Sequence, residues 1–239
     1  MKILAVIPAR GGSKSIPMKN VRPFNGHPLI AYSIAAASQS RNIDRTICST
    51  DDQNIASIAE QYGSEIPFLR PADLADDDTR DFPVLVHALY ELGKAGEEYD
   101  AVVHLRPTCP LRPEGLIDQA IEILKSRPEV DCVRSVSVPS ENPFKMWQER
   151  NDLIEPFVAS SIEEAYNAPR QSLPEVFWHN GLVDVIRTQC LLEKGSVTGN
   201  KIAPIFTHPS YRIDLDNEWQ WQHAELWYAR IPMSKVEIK

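Results

Sequence analysis

Between residues 2 and 138 the chain alternates short apolar runs with stretches of helical periodicity, and no other feature limits its fold so tightly. "KILAVI", "RTICS", "YDAVVHL" and "DCVRSVSV" read as strands. Between them lie "HPLIAYSIAAASQ", with a stripe through Leu29, Ile30, Ser33, Ile34 and Ala37, then "DDQNIASIAEQYG", "DFPVLVHALYELG" and "PEGLIDQAIEILKS". The second of these helices carries acids in its first turn and Gly63 where a left-handed C′ residue is wanted. Strands that alternate with helices predict an α/β fold, a doubly wound and mostly parallel sheet covered on both faces, with right-handed crossovers.

The regularity stops near residue 139. From there "PSENPFKMWQERNDLIEPFVASSIEEAYNAPRQSLPEVFWHNG" mixes prolines, aromatics and polar residues without a period. It reads as an excursion from the sheet, a hairpin or arm plus a short helix at "SSIEEAY". Phe144, Met146, Trp147, Phe157 and Tyr166 need cover, from a second subunit or from their own domain. "GLVDVI" and "KIAPIF" then return as strands. "NEWQWQHAELWYAR" closes the chain as a helix, with Trp219, Trp221 and Trp227 as packing residues. The whole of 1–239 is expected to be one domain, with 139–176 as an excursion that forms a dimer contact.

Charge is distributed unevenly. The net value is −8, yet residues 1–43 hold Lys2, Arg10, Lys14, Lys19, Arg22 and Arg41 and no acid, so that end carries +6 and the remainder −14. An acidic body with one cationic end argues against a nucleic-acid coat and for a small polyanionic ligand. No apolar run approaches the roughly 20 residues that span a bilayer. "ILAVIP" is too short, and too soon followed by Arg10 and Gly11, for a signal peptide, so a cytoplasmic protein without membrane partners is expected. Cys48, Cys109, Cys132 and Cys190 form no CxxC pair and read as buried reduced thiols.

The cationic loop "ARGGSKSIPMKN" follows the first strand, at the carboxyl end where open α/β sheets bind ligands. It matches neither GxxxxGK[ST] nor GxGxxG. "GGSK" can still turn backbone N–H groups inward, Ser13 and Ser15 add hydroxyls, and Arg10, Lys14 and Lys19 add charge. Without an acid nearby, a phosphate ligand outweighs a merely solvated turn. Asp214 and Asp216 stand two apart before the last helix, where an extended backbone puts both on one face, as Mg²⁺ would need. The alternative is N-capping by Asp216 or Asn217.

"IPARGGSKSIPMKN" resembles the first motif of the CMP-sialic acid synthetases, the acylneuraminate cytidylyltransferases. "STDDQNIA" at 49–56, "RPADLADD" at 70–77, "LRPTCPLR" at 105–112, "PRQSLPEVFWHNG" at 169–181 and "RIDLDNEW" at 212–219 match in order, so the resemblance spans nearly the whole chain. It implies a Rossmann-like nucleotidyltransferase fold, a homodimer, and Mg²⁺ dependence with Mn²⁺ as a substitute. It also implies transfer of CMP from CTP to the anomeric hydroxyl of an α-keto sugar acid, a sialic acid-like nonulosonate, with release of pyrophosphate. On that resemblance Ala9, Arg10, Gly11, Ser13, Lys14, Lys19, Asn20 and Arg70 bind the nucleotide. Arg10, Lys19 and Asp214 act in catalysis, and Asp214 and Asp216 hold the metal. Arg106, Thr108, Arg170, Gln171, Asn180 and Gly181 take the sugar acid.

Some readings stay open. The family commonly has Gln, a sugar contact, where Arg106 stands; Arg106 could hold a carboxylate bidentately or mark a different keto sugar acid, such as a legionaminate, pseudaminate, deaminated or shorter one. Arg112 reads as structural, "NG" at 180–181 also fits a tight turn, and Asp51 and Asp52 also fit a helix N-terminus. His104 and His179 receive no role. A metal-dependent glycosyltransferase and a non-catalytic nucleotide-binding module are the competing functions. The first would use "DLD" for metal and diphosphate, and the intact Arg10, Lys19, Asp214 and Asp216 set disfavours the second.

Overall fold

The computed structural model describes residues 1–231 and 235–238. Its strands are β1 (Ile3–Pro8), β2 (Pro23–Phe24), β3 (His27–Pro28), β4 (Arg45–Ser49), β5 (Ala101–His104), β6 (Cys132–Ser137), β7 (Trp147–Arg150), β8 (Leu153–Pro156), β9 (Trp178–Arg187) and β10 (Ile202–Phe206). Its helices are α1 (Leu29–Gln39), α2 (Gln53–Gln61), α3 (Asp81–Lys94), α4 (Leu116–Ser126), α5 (Thr188–Leu192) and α6 (Glu218–Tyr228). Six strands form one sheet in the order β10-β6-β9-β5-β1-β4. β1 runs parallel to β4 and β5, and β6 to β10; β9 alone is antiparallel, wedged between β5 and β6.

Alternation along β1 shows why both faces are covered. Ile3, Ala5 and Ile7 point into one core with α1, α4 and Trp221 of α6. Leu4 and Val6 point into the other with Leu85, Ala88 and Leu92 of α3 and Leu191 of α5. A strand buried on both sides reads as an unbroken apolar run, which "ILAVI" is. The helix ends follow local chemistry. Asp52 caps α2 by accepting from the N–H groups of Asn54 (2.8 Å) and Ile55 (2.9 Å), and Gly63 follows that helix at φ 96°. Asn217 caps α6 in a reciprocal box with Gln220, so Asp216 is left free of that task.

One expectation and one alternative reading need correcting. "SSIEEAY" forms turns, not a helix. The hydroxyl of Ser160 accepts from Ile162 N–H (3.0 Å), and of the seven residues only Ala165 is buried. A single turn with one packed side chain cannot repay helix nucleation. "NG" at 180–181 is no turn either: it lies inside β9, which starts at Trp178, at an irregularity in the pairing with β6. Between β6 and β9 the chain leaves the main sheet, and β7 and β8 pair as a hairpin through Asn151 and Asp152, both at positive φ. Leu153, Ile154 and Phe157 stand exposed there.

Candidate active site

The loop after β1 is pinned from below. Ala9 is buried and donates its N–H to Ser49 O (2.9 Å). Gly11 donates to Asp51 Oδ1 (3.0 Å), and a Cβ at that glycine would come within 2.9 Å of Asp52 Cβ. Gly11 is therefore required by the close passage of the α2 cap, and its N–H is spent on Asp51 and not held out to a ligand. Asn20 is buried and donates to Arg10 O (2.9 Å), which ties the two ends of the loop together.

The loop's cations each have a carboxylate partner. Arg10 Nη2 lies 2.8 Å from Asp77 Oδ1, and Lys14 Nζ is paired with the other oxygen of Asp77. Lys14 and then Arg10 hold the Asp77 carboxyl below the usual range. Lys19 Nζ donates to Leu215 O (2.8 Å) and Asp216 Oδ1 (3.2 Å). Leu215 N–H in turn donates to Thr108 O (3.0 Å). Three distant segments, the loop, the "RPT" turn after β5 and "DLD", are thereby laced into one wall.

That wall and the carboxyl ends of β1 and β5 enclose a cavity of about 420 Å³. Arg10, Ser13, Lys14, Lys19, Asn20, Arg70, Arg106, Thr108 and Asp216 line it. Five cations thus face Asp81 and Asp216, a balance suited to a polyphosphate. Arg70 is buried and donates to Leu74 O (3.2 Å) and Ser49 O, while its buried Nε has no partner. Burial lowers its pKa from the usual arginine value.

Asp214 borders a neighbouring groove of about 480 Å³ that also holds Arg212, Trp178 and Trp219. "DLD" therefore straddles the boundary between two recesses. Burial raises the Asp214 carboxyl above its ordinary pKa, against the opposing pull of a hydrogen bond with Thr108. Among the described residues no three His, Cys, Asp or Glu side chains gather into a metal cage. A pair of carboxylates still fits Mg²⁺, which takes one or two and completes its shell with phosphate oxygens and water.

The other named residues lie elsewhere. Arg170 and Gln171 border a separate groove of about 390 Å³, and Arg170 donates to Pro139 O (2.6 Å). Asn180 is buried and donates to Thr207 Oγ1 (2.7 Å). A Cβ at Gly181 would strike Cys109 Sγ at 2.7 Å. Both residues of "NG" are thus occupied by packing. Arg112 is structural, as read: fully buried, it donates to the backbone of Leu182 (2.5 Å) and Arg106 (3.1 Å), and burial lowers its pKa to about 10.

Arg106 is not the free cation that its sequence position suggests. It donates to Asp81 (2.7 Å) at the start of α3 and to Asp184 (2.9 Å) on β9. Burial works against its charge, but the two carboxylates outweigh it and raise the pKa. Asp184 also accepts from Arg134 Nε (2.8 Å) and lies 3.3 Å from His179 Nε2. Burial opposes the ionised form of Asp184, yet His179, Arg106 and Arg134 hold it well below the usual carboxylate range. His104, opposite Asp184 in the β5–β9 register, is fully buried with both ring nitrogens unpartnered. Burial, and next Arg106, push its pKa down to about 4. Asp77, Asp81, Arg134 and Asp184 were missed in the sequence, although a lone acid inside the apolar "GLVDVI" is a signal that a buried charge needs partners.

Residues 4–165 match the profile of the family described as "Cytidylyltransferase". Among curated relatives, the CMP-N,N'-diacetyllegionaminic acid synthase of Legionella pneumophila is 33% identical over 233 residues, covering 94% of this chain and 95% of the relative. The pseudaminic acid cytidylyltransferase of Campylobacter jejuni is 43% identical over 122 residues, covering 51% of this chain and 53% of the relative. Among solved structures, a CMP:2-keto-3-deoxy-manno-octonic acid synthetase complexed with CTP superposes with a TM-score of 0.70 at 16% identity, over 96% of this chain and 99% of that one. At that identity the likeness speaks for the fold.

Proposed function

Because the chain belongs to the cytidylyltransferase family, we propose that the cavity beneath the cationic loop is where it transfers CMP from CTP to a sugar acid. The protein is a cytidylyltransferase of nonulosonic sugar acids. In the reaction the acceptor's anomeric oxygen attacks the α-phosphorus, the new P–O bond forms as the bond to the β-phosphate's bridging oxygen breaks, and pyrophosphate leaves. Arg10, Lys14, Lys19 and Arg70 hold the triphosphate, and Arg10 and Lys19 neutralise charge that grows on the leaving group. Losing one such donor typically costs about 10²–10³ in kcat. Asp214 stands at the boundary of the two recesses, where the acceptor's hydroxyl proton has to be taken up.

The observation that carries this reading is the lining of Arg10, Lys14, Lys19 and Arg70 at the carboxyl ends of β1 and β5, laced to "DLD" through Lys19. Asp214 and Asp216 would hold Mg²⁺, which would neutralise the triphosphate when bound. Full turnover by Asp214→Asn and Asp216→Asn variants with Mg²⁺ would refute that metal assignment. The glycosyltransferase alternative gains nothing from the family match or the fold match. Likeness to legionaminic and pseudaminic acid enzymes favours an acceptor of that kind. We place the enzyme in the cytoplasm, which suits four unpaired buried cysteines. We place two copies together through the exposed Met146, Trp147, Leu153, Ile154 and Phe157 of the excursion. The deciding assay is pyrophosphate release with each nucleoside triphosphate across a panel of nonulosonic acids. Release with CTP and at least one acid is expected, and none with any acid rejects the function.

A further inference from the structure

The Arg106 cluster is built more elaborately than a substrate contact needs. Arg106 and Arg134 carry two positive charges and Asp81 and Asp184 two negative, with His104 uncharged at neutral pH and His179 3.3 Å from Asp184, so the two arginines are balanced by two carboxylates. Asp184 is 1% exposed at its side chain and cannot turn outward to release Arg106. Of the five N–H groups on a guanidinium, one goes to each carboxylate, and three remain. Arg106 keeps 20% of its side-chain surface open, and it lines the cavity.

We propose that Asp81 and Asp184 are positioning residues that lock Arg106 as a charge-neutralised donor, so that it selects the acceptor by a neutral oxygen, a hydroxyl or an acylamido carbonyl, and not by the carboxylate. This rests on the reading that the sugar acid enters this cavity. An acceptor carboxylate at Arg106 would sit beside two protein carboxylates and gain little from a cation already paired twice. A neutral oxygen meets no such repulsion. It benefits from a fork whose orientation is fixed before the ligand arrives, because both terminal nitrogens are held. Of the two readings that the sequence leaves open for Arg106, a bidentate grip on a carboxylate and the mark of a different keto sugar acid, this proposal takes the second. His104 fits the same design: buried, with Nε2 3.8 Å from Asp81 Oδ1, and uncharged, it adds no positive charge to this floor of the cavity.

The test uses steady-state kinetics with a panel of nonulosonic acids that share the C1 carboxylate and differ in hydroxyl and acylamido substituents. Calorimetry measures CTP binding to the same variants. Arg106→Gln is expected to raise KM for the preferred acceptor about tenfold, with kcat and the CTP Kd within about twofold of the unmodified enzyme. The ratios of kcat/KM across the panel should change, since only some acceptors lose a contact. Asp81→Asn, at a partly exposed helix start where folding is least at risk, should move the same ratios in the same direction. The double variant should be no worse than Arg106→Gln alone. A uniform rise in KM across the panel would mean that Arg106 holds the shared carboxylate and would overturn the neutral-oxygen assignment. Multiplicative effects in the double variant would overturn the positioning role. Unchanged acceptor KM in Arg106→Gln would overturn the inference and leave CMP transfer standing. Failure of the unmodified enzyme with every acid would reject the function and this inference together.

Discussion

Two groups of cations and carboxylates border the cavity, one through Arg10 and Lys14 and the other through Arg106 and Asp81, and they are built in opposite ways. In the loop, Arg10 and Lys14 share one carboxylate, Asp77, and Lys14 is 83% exposed. In the floor, Arg106 and Arg134 share Asp184, which water hardly reaches. An exposed pair gains little because water competes for both partners, so it can be exchanged for a better partner. A buried pair cannot be exchanged, because separating it strands a charge in a poor solvent. The loop is suited to handing its cations to an incoming phosphate, and the floor to keeping its shape while substrates come and go.

The sharpest way to break this contrast is to remove the shared carboxylate on each side. Asp184→Ala should lower stability by about 3–5 kcal/mol, because Arg106 and Arg134 lose their common partner inside the fold. Asp77→Ala should leave the urea midpoint unmoved. Equal shifts for the two variants in urea unfolding followed by circular dichroism would show that the two regions do not differ as described.

Legibility from sequence divides along the same line. The central strands β1 and β5 were legible because burial on both faces writes itself as apolar runs, and the cationic loop because no acid interrupts residues 1–43. The carboxylates that pair with Arg10, Lys14 and Arg106 were not. Asp77 lies in an irregular acidic stretch, and Asp81 reads as an ordinary first-turn acid of α3. Asp184 meets Arg106 only because β9 runs antiparallel between β5 and β6, an insertion that alternating elements do not announce. Likewise "NG" has the composition of a turn, and only the close approach of Cys109 shows what Gly181 is for. Arg170 and Gln171 follow the family motif, yet the fold gives them a groove of their own.

A second test sharpens the floor's description by pH. The unfolded chain protonates His104 near its ordinary value of 6.5, whereas the folded chain, with the ring among Asp81, Asp184, Arg106 and Arg134, waits until about 4. Between those values the unfolded state holds more protons, so stability rises with pH, by up to about 3 kcal/mol from this group. Asp184, whose folded pKa is depressed, adds loss of stability on further acidification. Denaturant midpoints from pH 4 to 7 should climb and then level off, and His104→Leu should flatten that climb. A variant with the unmodified slope would assign the pH dependence to other groups.

The smallest effect probes the loop. With Asp77 bridging Arg10 and Lys14, a triphosphate competes with a carboxylate for both cations. Asp77→Asn keeps the shape and removes the charge, so the cations are released at less cost. Pyrophosphate and CTP should bind a few-fold more tightly, with roughly a factor of ten as the ceiling for an exposed pair. The gain should shrink as salt rises, because screening weakens the native pair and the ligand's attraction alike. Titration calorimetry at two salt concentrations reads both effects. Weaker binding of pyrophosphate by Asp77→Asn would mean that the carboxylate holds the two cations in the geometry the phosphates require, which would make the loop a prearranged site like the floor and dissolve the contrast.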